Sequence, residues 1–388
     1  MPFLCFSLKL VLGRVTVILS FFPWVGFGFL DLDSQPWACL FCILYLLACY
    51  KSIKLPENFS LIISVMLAGI FFSLLNTRDV ESFFTLRSVC NYLSVGFFFL
   101  GFYDYIIRFG FPYKILLTAN YIWLIGAVVE FFNPAFIAYF APVRTSFERG
   151  LTSFAPEPTF YAIFVFFSVW LLLSFSAYKV EKHAKFYVAS IFCVFFVSKS
   201  STVVLYLILA YATYLILKIL RSELDRDFFN SILLFFCAAM VFFISSKYVE
   251  NSRVFNIAHA ISDSGVVNFF SSDASASERL DAITHSVIGS AKNFFLPAGL
   301  DDFSSVVGSK IMSWIGDLFY QLGIFGLLFV LLIFINSWDR TLRNLLEIFL
   351  LFIILLSAVP LAFPLVPMLL SVFFYKRRIK KHFVMRYV

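Results

Sequence analysis

The chain has 388 residues, of which 61% are hydrophobic, 20% aromatic and only 14% charged, and its mean hydropathy is +0.92. This composition excludes a soluble globular domain, which needs far more charge to cover its surface. The net charge of +7 does not indicate a nucleic-acid partner, because the lysines and arginines are spread over many short loops. The predicted fold class is all-α, a polytopic helical integral membrane protein.

Apolar runs recur from end to end, and about 12 of them approach the length that spans a bilayer. The predicted spans are 10–30, 36–50, 58–75, 88–105, 113–132, 158–177, 185–198, 202–219, 228–246, 313–335, 344–358 and 360–375. The first is interpreted as a retained helix, because it lacks a small-residue cleavage site. The seventh and eighth share the run Phe186–Leu217, broken only at Ser198–Ser201. We expect a tight turn there at the outer surface, since one long helix would bury Lys199 in the bilayer.

The distribution of positive charge predicts that both termini are cytoplasmic. The basic run 376–381 lies at the C-terminus, and of the short loops only 76–88, with Arg78 and Arg87, breaks the rule. The chain is therefore expected to form one membrane domain, 1–388, with two large outward segments at 133–157 and 247–312.

The second large segment contains a predicted amphipathic helix. Ser275 and Glu278 have the spacing of a capping box, which indicates a helix start. Six residues then fall on one apolar face: Leu280, Ile283, Thr284, Val287, Ile288 and Ala291. Such a helix is expected to lie on the membrane surface or over a cavity mouth.

Motifs for nucleotides and metals are absent from the sequence. No P-loop or dinucleotide fingerprint occurs, so ATP-driven pumping by this chain is not expected. Four scattered histidines make no zinc pattern, and Cys39 and Cys42, a C-x-x-C inside an apolar run, are interpreted as packing residues. We therefore predict no metal and no cofactor.

The unusual feature is positive charge on the outer side. Arg144 and Arg149 fall in one short loop, and Arg279 lies in the other large segment. Lipid headgroups account for any single arginine of this kind. Several together favour a ligand with a pyrophosphate, because arginine binds phosphate with two parallel hydrogen bonds.

Glu157 stands between Pro156 and Pro158, immediately before the sixth span. A proline suits the first helical turn and a carboxylate there is favoured by the helix dipole, so one interpretation is a helix-start residue. The other is a base or a sugar-binding carboxylate at the membrane surface. Both remain open from the residues alone, although a low pKa would suit hydrogen bonding to hydroxyls better than general-base catalysis.

The run Arg149–Ala162, R-G-L-T-S-F-A-P-E-P-T-F-Y-A, resembles the arginine-then-Glu-Pro loop of the O-antigen polymerase (Wzy) family. That family belongs to a wider group of polysaccharide polymerases and O-antigen ligases. Three more stretches resemble its motifs in order, covering the chain from about 140 to 335: Ser198–Ser201, Ser277–Leu280 followed by Gly299, and Gln321–Gly326.

The resemblance implies a glycosyltransferase of the bacterial inner membrane that acts in O-antigen or capsule-type polysaccharide and lipopolysaccharide biosynthesis. Its substrates would be undecaprenyl-pyrophosphate-linked glycans, with membrane lipids, a chain-length regulator and a flippase as partners and no nucleic acid. The resemblance assigns catalytic roles to Arg149 and Arg279, on the pyrophosphate, and to Glu157, on the acceptor sugar. Substrate binding is assigned to Arg144, Arg78, Arg87 and His285.

Two related activities remain as alternatives. Ligases of the wider group carry a histidine about ten residues before the glycine signature, whereas this chain reads Lys310-Ile-Met-Ser-Trp314 there, and His285 does not replace it. A lipid-linked oligosaccharide flippase should show two similar halves and charges deep in its spans. This chain has two unequal outward loops. A membrane protein without enzymatic activity is the third alternative.

Overall fold

The computed structural model describes residues 2–26, 35–77, 82–141, 150–175, 184–221, 281, 284, 286–292, 294–300, 313–357 and 359–384. Within these ranges the regular secondary structure is helical, without strands. Five helices among the described residues are long and apolar enough to cross a membrane: Phe59–Asn76, Thr85–Phe109, Tyr113–Phe132, Pro158–Phe175 and Thr202–Leu220. The predicted all-α class is confirmed, and its helices suit a membrane.

The helices follow one another with short connections. Their bounds are α1 Pro2–Ser20, α2 Trp37–Cys49, α3 Phe59–Asn76, α4 Ser82–Phe109, α5 Tyr113–Phe132, α6 Pro134–Ala138, α7 Pro158–Phe175, α8 Ala184–Phe192, α9 Ser201–Leu220, α10 Trp314–Gln321, α11 Ile324–Ser337, α12 Leu342–Leu355 and α13 Leu365–Val384. A π-helical turn, Cys193–Val197, extends α8.

Several predicted boundaries differ from the observed ones. Helix α1 ends at Ser20 rather than near residue 30, because the chain turns at Pro23, where the Gln35 amide donates to the Pro23 carbonyl at 2.7 Å. The span expected at 313–335 is two helices, α10 and α11, separated at Leu322–Gly323. The predicted break at Ser198–Ser201 is confirmed, since α8 and its π-helical extension end at Val197 and α9 begins at Ser201. The span expected at 228–246 lies outside the described residues.

Helix α7 is the central helix of the bundle. Two thirds of its apolar window, 67%, is buried, whereas only 33% of α3 and 11% of α9 are. Helix α7 packs against α5, α9 and α13. Since α3 and α9 keep apolar side chains on the outside, they present the surfaces that a bilayer would cover.

An aromatic cluster fixes the outer part of this bundle. The Trp123 ring on α5 is fully buried and stacks on Phe164 of α7 with centroids 4.2 Å apart. The Trp123 indole N–H donates to the Phe21 carbonyl at 2.8 Å, which satisfies the polar edge of a buried ring. Phe154 packs edge-on against the same indole at 5.6 Å. Helices α5 and α7 and the loop before α7 are thereby packed together.

A buried carboxylate joins α2, α4 and the loop between α2 and α3. Asp104 of α4 is fully buried and accepts hydrogen bonds from the Tyr45 hydroxyl at 2.7 Å and the Lys54 amide at 2.7 Å. Arg108, one turn along α4, pairs with it at 2.6 Å and also donates to the Ser52 carbonyl. The charge of Asp104 is therefore compensated, as a buried charge must be.

The C-x-x-C of α2 serves packing in this structure. The Cys42 side chain is buried, and its thiol donates to the Phe97 carbonyl of α4 at 3.1 Å. Cys39 and Cys42 are both free thiols.

Candidate functional site

The segment 150–157 enters α7 from the first large loop and is held against the turn between α8 and α9. Gly150 has φ +117°, and a Cβ built there would lie 2.5 Å from the Ser198 carbonyl oxygen. The next residue, Leu151, donates its amide to the Val197 carbonyl at 2.9 Å. Only glycine fits such a backbone approach with this torsion. The first two motifs of the sequence, the Glu-Pro loop and the Ser198–Ser201 turn, are thus in contact.

Glu130 of α5 anchors the same segment from the other side. The Glu130 carboxylate is only 3% exposed and accepts three hydrogen bonds. One oxygen takes the Thr152 amide at 2.8 Å and the Ser153 amide at 2.5 Å, and the other takes the Thr152 hydroxyl at 2.8 Å. The Ser153 hydroxyl donates to the Trp123 carbonyl at 2.8 Å. These four residues are called the Glu130 cluster below.

Sequence analysis missed Glu130, although a signal was present. Glu130 lies in the apolar run V-V-E-F-F at the end of a predicted span. An ionisable side chain in such a run is expensive to bury and therefore indicates a partner. Its partners lie 22 and 23 residues further along the chain, so the sequence alone could not identify them.

Glu157 lies where the anchored segment becomes helix. Its carbonyl accepts the Tyr161 amide at 3.2 Å, so Glu157 directly precedes the first turn of α7. The side chain is partly exposed, whereas Pro156 and Pro158 on either side of it are buried. This geometry agrees with the helix-start interpretation and also leaves the carboxylate open to a ligand.

A second group of motifs meets at the turn between α10 and α11. Gly323 has φ +58°, and a Cβ there would collide with the Phe295 carbonyl, while a Cβ on Gly326 would collide with the Leu318 carbonyl. The Ile324 amide donates to that same Phe295 carbonyl at 2.6 Å. The glycine signature therefore lets the end of the second large loop lie directly on this turn.

Helix α4 brings Arg87 toward this turn. The Tyr92 hydroxyl donates to the Gln321 side-chain oxygen at 2.8 Å and to the Asp317 carbonyl at 3.2 Å. Arg87 is five residues before Tyr92 on the same helix, partly buried and engaged in an interaction of its own. Arg87 is thus carried by the helix that contacts the Gln321 signature.

The helix predicted in the second large loop is helical at 286–292, but a different edge of it is buried. Ser286 and Ser290 are buried, and the Ser290 hydroxyl donates to the Phe319 carbonyl of α10 at 3.0 Å. Val287 and Ile288, on the predicted apolar face, are 42% and 46% exposed. Small hydroxyl side chains allow the closer approach to α10, and the apolar face points outward, as it would on a membrane surface.

The remaining predicted site residues lie outside the described residues: Arg78, Arg144, Arg149, Arg279 and His285. Arg149 directly precedes the anchored Gly150 in the chain, and His285 directly precedes the buried Ser286. In the part of the chain that the structure describes, no three His, Cys, Asp or Glu side chains are grouped to hold a metal ion. The site as described is an outer loop fixed at both ends, with a carboxylate at the start of the central helix.

No family model, curated protein or solved structure matches this chain. Membership of the O-antigen polymerase family therefore stays a prediction from the four short motifs. The chain itself is an all-helical protein with several helices suited to a membrane.

Proposed function

We propose that this chain is a polysaccharide polymerase that joins undecaprenyl-pyrophosphate-linked repeat units at the periplasmic face of the bacterial inner membrane. The observation that carries the proposal is the loop before α7. Its residues 150–153 are fixed by Glu130 and by the Ser198 turn, so that Arg149 and Glu157 flank a rigid segment. Orientation of two bulky lipid-linked substrates is the main requirement of such a reaction.

The proposed reaction forms one glycosidic bond and breaks one. A hydroxyl oxygen of the incoming repeat unit attacks the anomeric carbon of the growing chain, and the bond from that carbon to the pyrophosphate breaks. The hydroxyl proton leaves to water, and undecaprenyl pyrophosphate departs with the electron pair. Arg149 and Arg279 stabilise the charge that develops on the pyrophosphate, with Arg144 in support.

Glu157 holds the acceptor sugar in this proposal. A partly exposed carboxylate beside the first turn of a helix accepts hydrogen bonds from sugar hydroxyls. Arg78, Arg87 and His285 contribute to substrate binding. Both termini are placed in the cytoplasm and the two large loops in the periplasm, as the distribution of positive charge predicts.

The test is the cell-surface glycan pattern of two single variants. Arg149→Ala and Arg279→Ala are expected to abolish long-chain polysaccharide while leaving protein levels normal. Lys292→Ala is the matched control, because Lys292 is an exposed cation in the same loop as Arg279. Long-chain polymer from both arginine variants would refute the assigned roles.

Deletion of the gene separates the alternative activities. A polymerase predicts loss of the glycan ladder with a single repeat unit retained. Loss of every repeat unit would contradict the polymerase and favour a ligase or a flippase, which differ in whether the glycan is joined to lipid A core or is left untransported.

A further inference from the structure

A lateral cleft lies between α7, α8, α9 and α12, away from the Glu130 cluster. Its volume is about 480 Å³, and its walls are mainly apolar side chains such as Trp170, Ala210 and Leu350. Leu173, Ile191 and Tyr214 line it and are 38%, 45% and 40% exposed. The cleft is therefore open along its side rather than sealed inside the bundle.

The lining residues of α9 extend over a long stretch of that helix, from Leu207 to Arg221. At 1.5 Å per residue this face is about 21 Å long, enough to accompany an extended acyl chain over much of one leaflet. A long, laterally open apolar cleft suits a chain that enters from the membrane.

The cations of the cleft gather at one end of it. Tyr206, near the start of α9, donates its hydroxyl to the Ser357 carbonyl, just beyond the end of α12, at 2.7 Å. Helices α9 and α12 are therefore antiparallel, so the end of α9 lies beside the start of α12. Lys218 and Arg221 at the first position and Arg343 at the second all line the cleft.

One carboxylate accompanies these three cations. Glu347 also lines the cleft and accepts from the Arg343 Nε at 2.8 Å, with the Arg343 side chain 53% exposed. The cationic end consequently keeps a net charge of +2. Both loops that carry it are among those that the positive-charge rule places in the cytoplasm, beside the leaflet surface that attracts cations.

We propose that this cleft binds an anionic phospholipid of the cytoplasmic leaflet. One acyl chain lies along the apolar walls, and the phosphate is bound by Lys218, Arg221 and Arg343. A neutral phospholipid would fill the same walls but leave the surplus positive charge uncompensated. A soluble phosphate would meet the cations but leave the apolar walls uncovered. An anionic lipid meets both requirements.

The experiment measures phosphatidylglycerol binding to the purified full-length protein by native mass spectrometry, with phosphatidylcholine as the neutral comparison. The triple variant Lys218→Gln, Arg221→Gln, Arg343→Gln is expected to lose its preference for phosphatidylglycerol and to bind it at least about tenfold more weakly. Wild-type protein with no preference between the two lipids would overturn the proposal.

A charge-matched control and a filled cleft complete the design. The control variant Lys51→Gln, Lys54→Gln, Lys114→Gln removes three exposed cations from other loops on the same side, and binding is expected to stay within twofold of the wild type. Equal loss in this control would mean general attraction and would overturn the proposal. Ala210→Trp, which fills the cleft, is expected to weaken lipid binding. Displacement of the lipid by glycerol 3-phosphate would instead indicate a headgroup site alone and contradict the acyl-chain assignment.

Discussion

Replacing Glu130 by methionine tests whether this buried carboxylate holds the loop before α7. Methionine keeps a similar side-chain length but offers no oxygen, so the Thr152 and Ser153 amides and the Thr152 hydroxyl lose their acceptor. The hydroxyl lies 3.4 Å from the Ser153 carbonyl and turns toward it, which leaves two buried amides unpaired. Each costs about 1–3 kcal/mol, so the loop loses roughly 2–6 kcal/mol of local stability.

Hydrogen exchange reads this loss directly, because amides exchange through local opening. In Glu130→Met the peptide that contains Thr152 and Ser153 should exchange at least about 30-fold faster, the factor equivalent to roughly 2 kcal/mol. Glu57→Ala, which removes an exposed carboxylate from another loop, should leave that peptide unchanged.

Glutamine at position 130 separates hydrogen bonding from charge. Its amide oxygen accepts both backbone amides, and its amide nitrogen donates to the Thr152 hydroxyl, so every buried group keeps a partner. We therefore expect Glu130→Gln to exchange within about threefold of the wild type. Exchange in Glu130→Gln as fast as in Glu130→Met would refute the hydrogen-bond argument, and wild-type exchange in both variants would show that Glu130 does not anchor the loop.

Two further substitutions test the packing that supports the site. Gly326→Ala should lower the thermal unfolding midpoint strongly, by the equivalent of about 3 kcal/mol, because the new Cβ collides with the Leu318 carbonyl; Gly110→Ala, with no atom within 4 Å of its Cβ, should cost only about 1 kcal/mol from its positive φ. Equal midpoints for the two would contradict the close approach of α10 and α11. Asp104→Ala should destabilise by roughly 3 kcal/mol because it leaves the Arg108 guanidinium, 18% exposed, without its carboxylate. Adding Arg108→Ala should recover part of that loss, and a purely additive double variant would refute the pairing.

The helices themselves were predictable because they depend on local composition. A run such as Phe59–Asn76 is apolar over the length of a bilayer, and no folding partner is needed to recognise it. The break at Ser198–Ser201 was predictable for the same reason, since a lysine among small polar residues is costly inside a bilayer. The break at Gly323 was not, because its neighbours are as apolar as any span.

The sequence by itself determined the all-α class, most helix positions and the unusual polar loop that enters α7. Only the tertiary structure decided what holds that loop, because Glu130 and Ser153 are 23 residues apart in sequence and become neighbours when α5 packs against α7. It also decided which edge of the helix at 286–292 is buried. Periodicity favoured the apolar face, but the close backbone of α10 admits Ser286 and Ser290 and leaves Val287 and Ile288 outside. In an apolar bundle hydrophobicity does not distinguish one helix face from another, so small side chains and buried hydrogen bonds select the contacts.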